Sequence, residues 1–337
     1  MKLSFIIPVY NAENYISRCL DSLLDQNIDD YEIICIDDGS SDNSKFVLED
    51  YKKRYPQKII LKSQENQGIG PTRNTAFNYV SGEYTWFIDN DDCIRSNCLN
   101  EVINLLDQNN SDITNISYYK GFFTANPFEG KKIEQLTIRK INQDYAMYFY
   151  DDAPWSKIYR TDFLKKNKLF FENIFGEDTS VTFDLYSKTK KIFKIDQPLY
   201  AWFERKESFS HSVYSKKHFE TFPVLLEVLK DQSEKADKSL KVFYENLMLR
   251  KADIYLPHFR NAEVTDELKL CRDECIRKSE EILNQLDTNL LYEIYLENKK
   301  ETDNKLYQQE KRLVNKYENS LSWKFSIPVR LIGKLFR

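Results

Sequence analysis

The sequence is poor in glycine, histidine and long apolar runs, and each shortage excludes a class of protein. Its 337 residues include 8 glycines and 3 histidines, and its longest stretch without a charged residue runs from Leu3 to Ala12. A membrane-spanning helix needs about 20 apolar residues, so the sequence predicts no transmembrane segment. The apolar start contains Pro8 and leads to no small-residue cleavage site, so we interpret it as a buried strand rather than a signal peptide.

Cysteine is also sparse. Six cysteines are too few for a disulfide framework in a chain of this length, and Cys271 and Cys275 have no histidine nearby to complete a zinc site. We therefore predict a reduced, cytoplasmic compartment. The formal net charge of −4 argues against nucleic acid as a partner, because binding to phosphates favours a strongly basic face.

Glycine-rich phosphate loops are missing as well. The sequence has no Walker-type Gly-x-x-x-x-Gly-Lys motif, and the segment from Gly68 to Arg73 lacks the third glycine of a dinucleotide fingerprint. Neither a P-loop nucleotide site nor a Rossmann dinucleotide site is expected.

The first 120 residues alternate short apolar runs with segments of helical period, which is typical of a mostly parallel sheet covered by helices. The predicted strands are Leu3–Val9, Tyr31–Asp37, Ile59–Lys62, Tyr84–Asp89 and Ile113–Tyr119. Helices are predicted over 15–24, 44–55 and 71–80, and the pattern is helical again from 216 to about 318. The sequence therefore predicts an α/β fold with a helical C-terminal region.

Carboxylates follow two of the predicted strands. Asp37, Asp38 and Asp42 follow the second strand, whereas Asp89 and Asp91 follow the fourth. Ligands of open α/β sheets bind outside the carboxyl ends of the strands, and two carboxylates on alternate residues can hold a hard divalent cation and a sugar hydroxyl.

Three alternatives compete for the Asp89-x-Asp91 motif. An EF-hand loop is excluded because Ile94 stands where that loop requires glycine. A phosphatase of the haloacid dehalogenase type, with Asp89 as nucleophile and Asp91 as acid, stays open. So does a polar strand end without a ligand.

Five motifs in one order resemble the signature of family-2 inverting glycosyltransferases of the GT-A fold, of the bacterial surface-polysaccharide type. They are Pro8-Val9-Tyr10-Asn11, Asp37-Asp38-Gly39-Ser40 with Asp42, Asn66-Gln67-Gly68, Arg73-Asn74 and Asp89-Asn90-Asp91-Asp92. The resemblance is firm over residues 1–115, and it extends through Trp155–Tyr159, Gly176-Glu177-Asp178 and Leu199-Tyr200 to about residue 215.

The resemblance implies a GT-A fold: a Rossmann-like, mostly parallel central sheet flanked by helices, followed by a helical C-terminal region. It implies a glycosyltransferase domain over 1–215, with a nucleotide-binding half (1–115) and an acceptor half (116–215). A helical region would follow over 216–318, and a basic, aromatic tail over 319–337.

The resemblance also implies roles for individual residues. The nucleotide-sugar donor would be bound by Pro8, Tyr10, Asp38, Asn66, Gly68, Arg73, Asp89 and Asn90. Asp91 would hold Mn²⁺ or Mg²⁺ against the diphosphate, and His211 lies where related enzymes place a loop that closes over it. Asp37 is expected only to hold its loop.

Asp178 is the candidate catalytic base by the same resemblance. A displacement with inversion needs a carboxylate that takes the proton of the attacking acceptor hydroxyl. The alternative is that Glu177 and Asp178 only stabilise the N-terminus of a helix, where carboxylates are favoured. If the pair does start a helix, we expect Glu177 to point away from the site.

The tail from Asn319 to Arg337 has four cations, no acidic residue and many apolar side chains. This composition indicates an interfacial anchor on an anionic membrane surface, although Pro328 argues against one continuous helix. The alternative is a tail that packs on the body of the protein. With the anchor, the protein would lie at the cytoplasmic face of the membrane as a peripheral protein.

We therefore expect a metal-dependent inverting glycosyltransferase. It would transfer a sugar from a nucleotide donor, with UDP favoured, to a hydroxyl of a surface glycan or a lipid-linked oligosaccharide. Inversion of an α-linked donor predicts a β-linked product. The alternatives are the phosphatase and a noncatalytic protein that binds nucleotide sugars.

Overall fold

A mixed sheet forms the centre of the protein. The computed structural model describes residues 1–122, 126–128, 135–143, 146–147, 151–204 and 214–286. The strands in this part of the chain are β1 (Leu3–Val9), β2 (Tyr31–Asp37), β3 (Ile59–Ser63), β4 (Tyr84–Phe87), β5 (Cys93–Ile94), β6 (Ile113–Gly121), β7 (Ile138–Ile141), β8 (Lys157–Arg160) and β9 (Ile192–Phe203). Their order is β3-β2-β1-β4-β8-β6-β9-β5, with β7 paired to β9.

The helices flank this sheet and follow it in the chain. Those bounded within the described ranges are α1 (Ile16–Leu24), α2 (Ser44–Arg54), α3 (Ile69–Phe77), α4 (Leu99–Asn109), α5 (Thr161–Lys166), α6 (Glu177–Ser187), α7 (Lys216–Lys235), α8 (Lys238–Asn261) and α9 (Asp266–Leu283). Residues Met1–Gln285 form one compact unit.

The half of the sheet built from β1 to β4 is parallel. Leu3 pairs with Tyr31 on one side of β1 and with Tyr84 on the other, and β2 pairs with β3 in the same direction. Every residue of β1 and β2 is buried, as expected for strands covered by helices on both faces. The carboxyl ends of these strands therefore lie at one edge, as the sequence predicts.

The second half of the sheet is mixed. β8 runs antiparallel to both β4 and β6, whereas β6 and β9 are parallel. β4 ends at Phe87, two residues before the predicted end, so Asp89 and the residues after it belong to a loop. The loop contains the partly exposed Asp89 and the buried Asp91 and Asp92.

Aromatic side chains fill the core on one face of the sheet. Trp155 lies parallel to Tyr200 with 4.7 Å between ring centroids, and the same core contains Phe5 and Trp86. Trp155 is only 7% exposed. Its packing in the core agrees with the more common use of tryptophan.

Three packed helices, α7 to α9, follow the sheet, and they confirm the predicted helical region as far as residue 283. Ser215 and His218 form a capping box at the start of α7. None of the helices in the described ranges is long and apolar enough to cross a membrane. The rest of the predicted helical region, 287–318, and the tail of 319–337 lie outside the described residues, so the membrane anchor stays a prediction.

Candidate active site

Four loops meet at the carboxyl edge of the parallel strands. The amide of Asp38, after β2, donates to the carbonyl of Val9 in β1 at 2.8 Å, and the amide of Gln64, after β3, donates to the carbonyl of Asp37 at 2.9 Å. The side-chain amide of Asn90, after β4, donates to the carbonyl of Pro8 at 2.9 Å. Residues predicted from separate motifs therefore form one continuous surface.

Asp38 organises the loop that carries two of the other predicted residues. One of its carboxylate oxygens accepts hydrogen bonds from the amide of Gln67 at 2.9 Å and the side chain of Gln64 at 2.8 Å. The other oxygen accepts from the amide of Gly68 at 2.9 Å. This carboxylate fixes the position of Asn66 and Gly68, in addition to any contact it makes with a ligand.

Glycine is required at two points of these loops. Gly39 has a φ of +71°, and a β-carbon there would lie 2.9 Å from the backbone nitrogen of Asn66. Gly68 has a φ of +92°, and its β-carbon would lie 3.1 Å from the amine of Lys217. Both φ values lie in the left-handed region, which favours glycine. At Gly39 the close approach to backbone is a second reason, whereas the amine of Lys217 ends a flexible side chain and can move.

The predicted residues of the β1 end differ in exposure. The ring of Tyr10 is half exposed, at 50%, and can stack on a planar ligand. Pro8 is buried inside β1, and its carbonyl holds Asn90 in place. Asp37 accepts a hydrogen bond from the amide of Ser40 at 3.1 Å, consistent with its expected role in holding the loop.

Arg73 joins the strand-end loops to α6. Its guanidinium donates to Glu177 at 2.8 Å and to Asp89 at 3.3 Å, and it lies over the ring of Phe171. The arginine side chain is only 4% exposed. Its Nε is buried with no hydrogen-bond partner among the described residues. Burial raises the pKa of Glu177, and Arg73 opposes that rise.

Negative charge is concentrated after β4. The carbonyl of Asp91 accepts a hydrogen bond from Arg18 at 2.5 Å. Asp92 is fully buried, and its carboxylate accepts from the hydroxyl of Tyr200 at 2.7 Å and from the amide of Phe203 at 2.8 Å. Burial raises the pKa of Asp92, and the neighbouring Asp91 and Asp89 raise it further. Three acidic side chains, Asp89, Asp91 and Asp92, thus lie within one short loop.

The oxygen donors of this loop fit a hard divalent cation shared with a ligand. Within the described ranges, no three His, Cys, Asp or Glu side chains gather as an all-protein metal site would need. Mg²⁺ is usually held by one or two carboxylates together with substrate phosphates and water. Asp91, beside Asp89, can supply that smaller set. His211 lies outside the described residues, and its role as a ligand stays a prediction.

Asp178 lies in the first turn of α6, which begins at Glu177 after Gly176. Its carboxylate accepts a hydrogen bond from the amide of Thr179 at 2.9 Å. Burial raises the pKa of Asp178 well above its ordinary value, and the carboxylates of Asp152 and Glu177 raise it further. A carboxylate with a raised pKa is a stronger base, which suits proton abstraction.

Several contacts of the site are absent from the motifs. Glu177 does start a helix together with Asp178, but it points to Arg73 rather than away from the site. Asp152 accepts hydrogen bonds from Thr179 and from Lys251, each at 2.5 Å. These partners are separated by 27 and 99 residues in the sequence, so no local pattern could have indicated them.

Comparison with known proteins places the chain in a family. A profile of Glycosyl transferase family 2 matches residues 4–177. The chain is 37% identical over 201 residues to the poly(ribitol-phosphate) beta-glucosyltransferase of Bacillus spizizenii, which covers 57% of this chain and 30% of that protein. It is 30% identical over 222 residues to the uncharacterized glycosyltransferase EpsJ of Bacillus subtilis, covering 63% and 64% of the two chains. The chain thus matches less than two thirds of the length of these curated relatives.

The fold has solved counterparts. A crystal structure of Staphylococcus aureus TarS 1–349 in complex with UDP-GlcNAc superimposes with a TM-score of 0.66, covering 84% of this chain and 82% of that one at 24% identity. A crystal structure of GalNAc-T7 superimposes with a TM-score of 0.53 at 15% identity, covering 83% of this chain and 56% of that one. The family match spans half of this chain and includes the strand-end loops. The chain therefore belongs to glycosyl transferase family 2 and adopts the GT-A fold.

Proposed function

We propose that this protein is a metal-dependent inverting glycosyltransferase that uses a nucleotide-sugar donor. One observation carries the proposal: Arg73 contacts both Asp89, at the end of β4, and Glu177, the neighbour of Asp178. The candidate donor site and the candidate base are therefore held together by a single guanidinium. A displacement reaction needs these two components in one site.

The donor is a UDP-sugar in this proposal. Tyr10 stacks on the base, and the loop fixed by Asp38 presents Asn66 and Gly68 to the nucleotide. Arg73, Asp89 and Asn90 line the ribose and sugar side. UDP is favoured because TarS, which shares the fold, binds UDP-GlcNAc and UDP in its crystals.

Mn²⁺ or Mg²⁺ would be held by Asp91 and, by the same proposal, by His211. Such a metal stabilises the charge that accumulates on the leaving diphosphate. The carboxylates of this loop supply the hard oxygen donors that both ions prefer. The protein groups contribute by fixing Asp91, whose backbone is held by Arg18.

Asp178 acts as the base. The acceptor hydroxyl oxygen forms a bond to the anomeric carbon as the bond from that carbon to the diphosphate oxygen breaks, and Asp178 takes the hydroxyl proton. Inversion of an α-linked donor gives a β-linked product. Relatives named as beta-glucosyl and beta-N-acetylglucosaminyl transferases are consistent with this stereochemistry.

The acceptor is a hydroxyl of a surface glycan or a lipid-linked glycan. Support comes from relatives named as a poly(ribitol-phosphate) glucosyltransferase and as a teichoic acid biosynthesis protein. The proposal places the protein at the cytoplasmic face of the membrane, with the tail of 319–337 on the anionic lipid surface.

Binding and turnover together test the proposal. Thermal unfolding is measured with Mn²⁺ and UDP-, GDP- or dTDP-sugars, because a ligand at 100 times its dissociation constant stabilises a protein by about 2.7 kcal/mol. We expect a UDP-sugar to raise the melting temperature and to release UDP on incubation. Binding without UDP release would favour the noncatalytic alternative. Metal-dependent release of phosphate from a generic ester would favour the phosphatase, which family membership already disfavours.

A further inference from the structure

Lys251 lies in α8, beyond the residues that the family profile matches. Its amine nevertheless contacts Asp152, which is hydrogen-bonded to the first turn of α6. The amine donates to the carboxylate of Asp152 at 2.5 Å. The side chains of Lys251 and Asp152 are 16% and 24% exposed, respectively. An ion pair so far from full solvent exposure is screened less than a surface pair, so its field reaches neighbouring groups.

The same carboxylate is bonded to the helix that carries Asp178. The hydroxyl of Thr179 donates to Asp152 at 2.5 Å, and the hydroxyl of Thr182 donates to the carbonyl of Asp152 at 2.7 Å. The amide of Thr179 in turn donates to the carboxylate of Asp178. A continuous hydrogen-bonded path therefore runs from Lys251 through Asp152 and Thr179 to Asp178.

We propose that Lys251 is a positioning residue for the catalytic base: by holding Asp152 against Thr179, it fixes the first turn of α6 and sets the charge around Asp178. This inference rests on the proposed role of Asp178. It assigns the helical region a part in the reaction, since α8 supplies a cation to the environment of a base that lies in α6.

Charged and titratable groups face Asp178 from several elements. They are Glu177 of α6, Arg73 of α3, Asp152 before β8, Tyr159 of β8, and Lys251 and Tyr255 of α8. After burial, Asp152 contributes most to raising the pKa of Asp178, whereas Lys251 and Arg73 lower it. Burial alone would raise the pKa of Asp152, but Lys251 and Thr179 hold it below its ordinary value. Asp152 therefore stays ionised beside the base.

Because Lys251 and Asp152 carry opposite charges, removal of one should raise the pKa of Asp178 and removal of the other should lower it. In Asp152→Asn the lost anion lowers the pKa of Asp178. In Lys251→Met the lost cation raises it, because the hydroxyl of Thr179 still donates to Asp152 and keeps that carboxylate ionised. Each shift should be roughly one pH unit. If Lys251 and Asp152 only supported the fold, the two substitutions would shift the pKa of Asp178 in the same direction or leave it unchanged.

The experiment measures kcat/KM for UDP release from UDP-N-acetylglucosamine or UDP-glucose with Mn²⁺ across pH, using the full chain. The acidic limb of this profile reports the pKa of the base in the free enzyme. We expect the limb to move to higher pH in Lys251→Met, to lower pH in Asp152→Asn, and back to the wild-type position in Lys251→Arg. Lys241→Met, on the same helix and paired with Glu245 at 3.9 Å, serves as the matched control and should leave the profile unchanged.

The outcomes separate this inference from the proposed function. If the wild-type protein releases no UDP from either donor, the proposed function fails and the inference fails with it. If the wild type is active but the acidic limb stays in place in both variants, only the role of Lys251 is overturned. If circular dichroism shows that Lys251→Met is unfolded, Asp152→Asn and Lys251→Arg decide the question. A shifted acidic limb in Asp152→Asn together with a wild-type profile in Lys251→Arg supports the inference. An unshifted limb in Asp152→Asn overturns it.

Discussion

The guanidinium of Arg73 donates a hydrogen bond of 2.8 Å to the carboxylate of Glu177, and the two residues are separated by 104 positions in the sequence. Both side chains are largely buried, at 4% and 13% exposure. The pair holds α6 against α3. It therefore sets where Asp178, the next residue along α6, lies relative to the loops at the strand ends.

Loss of this pair should destabilise the protein. Removal of Glu177 leaves the buried guanidinium with its longer contact to Asp89 at 3.3 Å, and breaking a buried ion pair typically costs about 3 to 5 kcal/mol. We expect Glu177→Ala to lower the free energy of unfolding by about 3 kcal/mol and Glu177→Gln to lower it less, because the amide oxygen still accepts from Arg73. Urea unfolding measures both values. The exposed Glu172, replaced by alanine, is the control; an equal loss in Glu172→Ala and Glu177→Ala would contradict a stabilising role for the pair.

Asp178→Asn should abolish most of the turnover but leave donor binding intact. An amide cannot take the acceptor proton, and removal of a general base typically slows a reaction by about 10² to 10⁴-fold. We expect kcat for UDP release to fall by that factor, with an unchanged dissociation constant for UDP. The same exchange at Asp184, which pairs with Lys188 on the exposed side of α6, should preserve kcat. Full activity in Asp178→Asn would exclude it as the base.

The strengthening of UDP binding by Mn²⁺ should require Asp91. Because the proposed metal would be held by Asp91 and would offset the charge of the diphosphate, Asp91→Asn should remove the ability of Mn²⁺ to strengthen UDP binding, whereas metal-free binding should change little. Calorimetric titration with UDP, in Mn²⁺ and in EDTA, measures both affinities. Asp50→Asn on the surface of α2, where Asp50 pairs with Arg54, controls for the loss of one negative charge. Equal gains from Mn²⁺ in the wild type and in Asp91→Asn would place the metal elsewhere.

The features of the fold and the site that depend on short-range spacing can be predicted from the sequence. β1 and β2 have the predicted bounds, because predominantly apolar runs such as Leu3–Val9, in which Ser4 is the one polar residue, favour a buried parallel strand. Asp38 follows β2 and Asp91 follows β4, at positions that the motifs indicate. Short-range spacing determines these features, so one sequence is enough to predict them.

Contacts between residues that lie far apart in the sequence cannot be predicted in this way. Asp152 and Lys251 have no motif around them, and their pairing depends on how α8 packs, which the helical period alone does not define. Two neighbouring residues at the start of a helix point in different directions, so the assignment of Asp178 to the site predicts that Glu177 points away from it. Arg73 approaches from α3 and pairs with Glu177, and the geometry of α6 alone does not indicate this contact.

Gly39→Ala provides a test of the loop geometry on which the proposed donor site depends. Left-handed backbone costs a residue with a β-carbon about 1 to 2 kcal/mol, and the new methyl group would lie 2.9 Å from the backbone nitrogen of Asn66. We expect the free energy of unfolding to fall by about 2 to 4 kcal/mol, and the affinity for UDP to fall as the loop of Asn66 is displaced. Urea unfolding and calorimetric titration measure the two effects.

Gly39→Asn separates the two causes. Asparagine tolerates the left-handed region better than alanine, but its β-carbon meets the same backbone nitrogen. If the close approach dominates, Gly39→Asn should lose as much UDP affinity as Gly39→Ala. If Gly39→Asn regains wild-type affinity, the φ of +71° is the only reason for glycine, and the contact with the loop of Asn66 is not needed to hold the donor site.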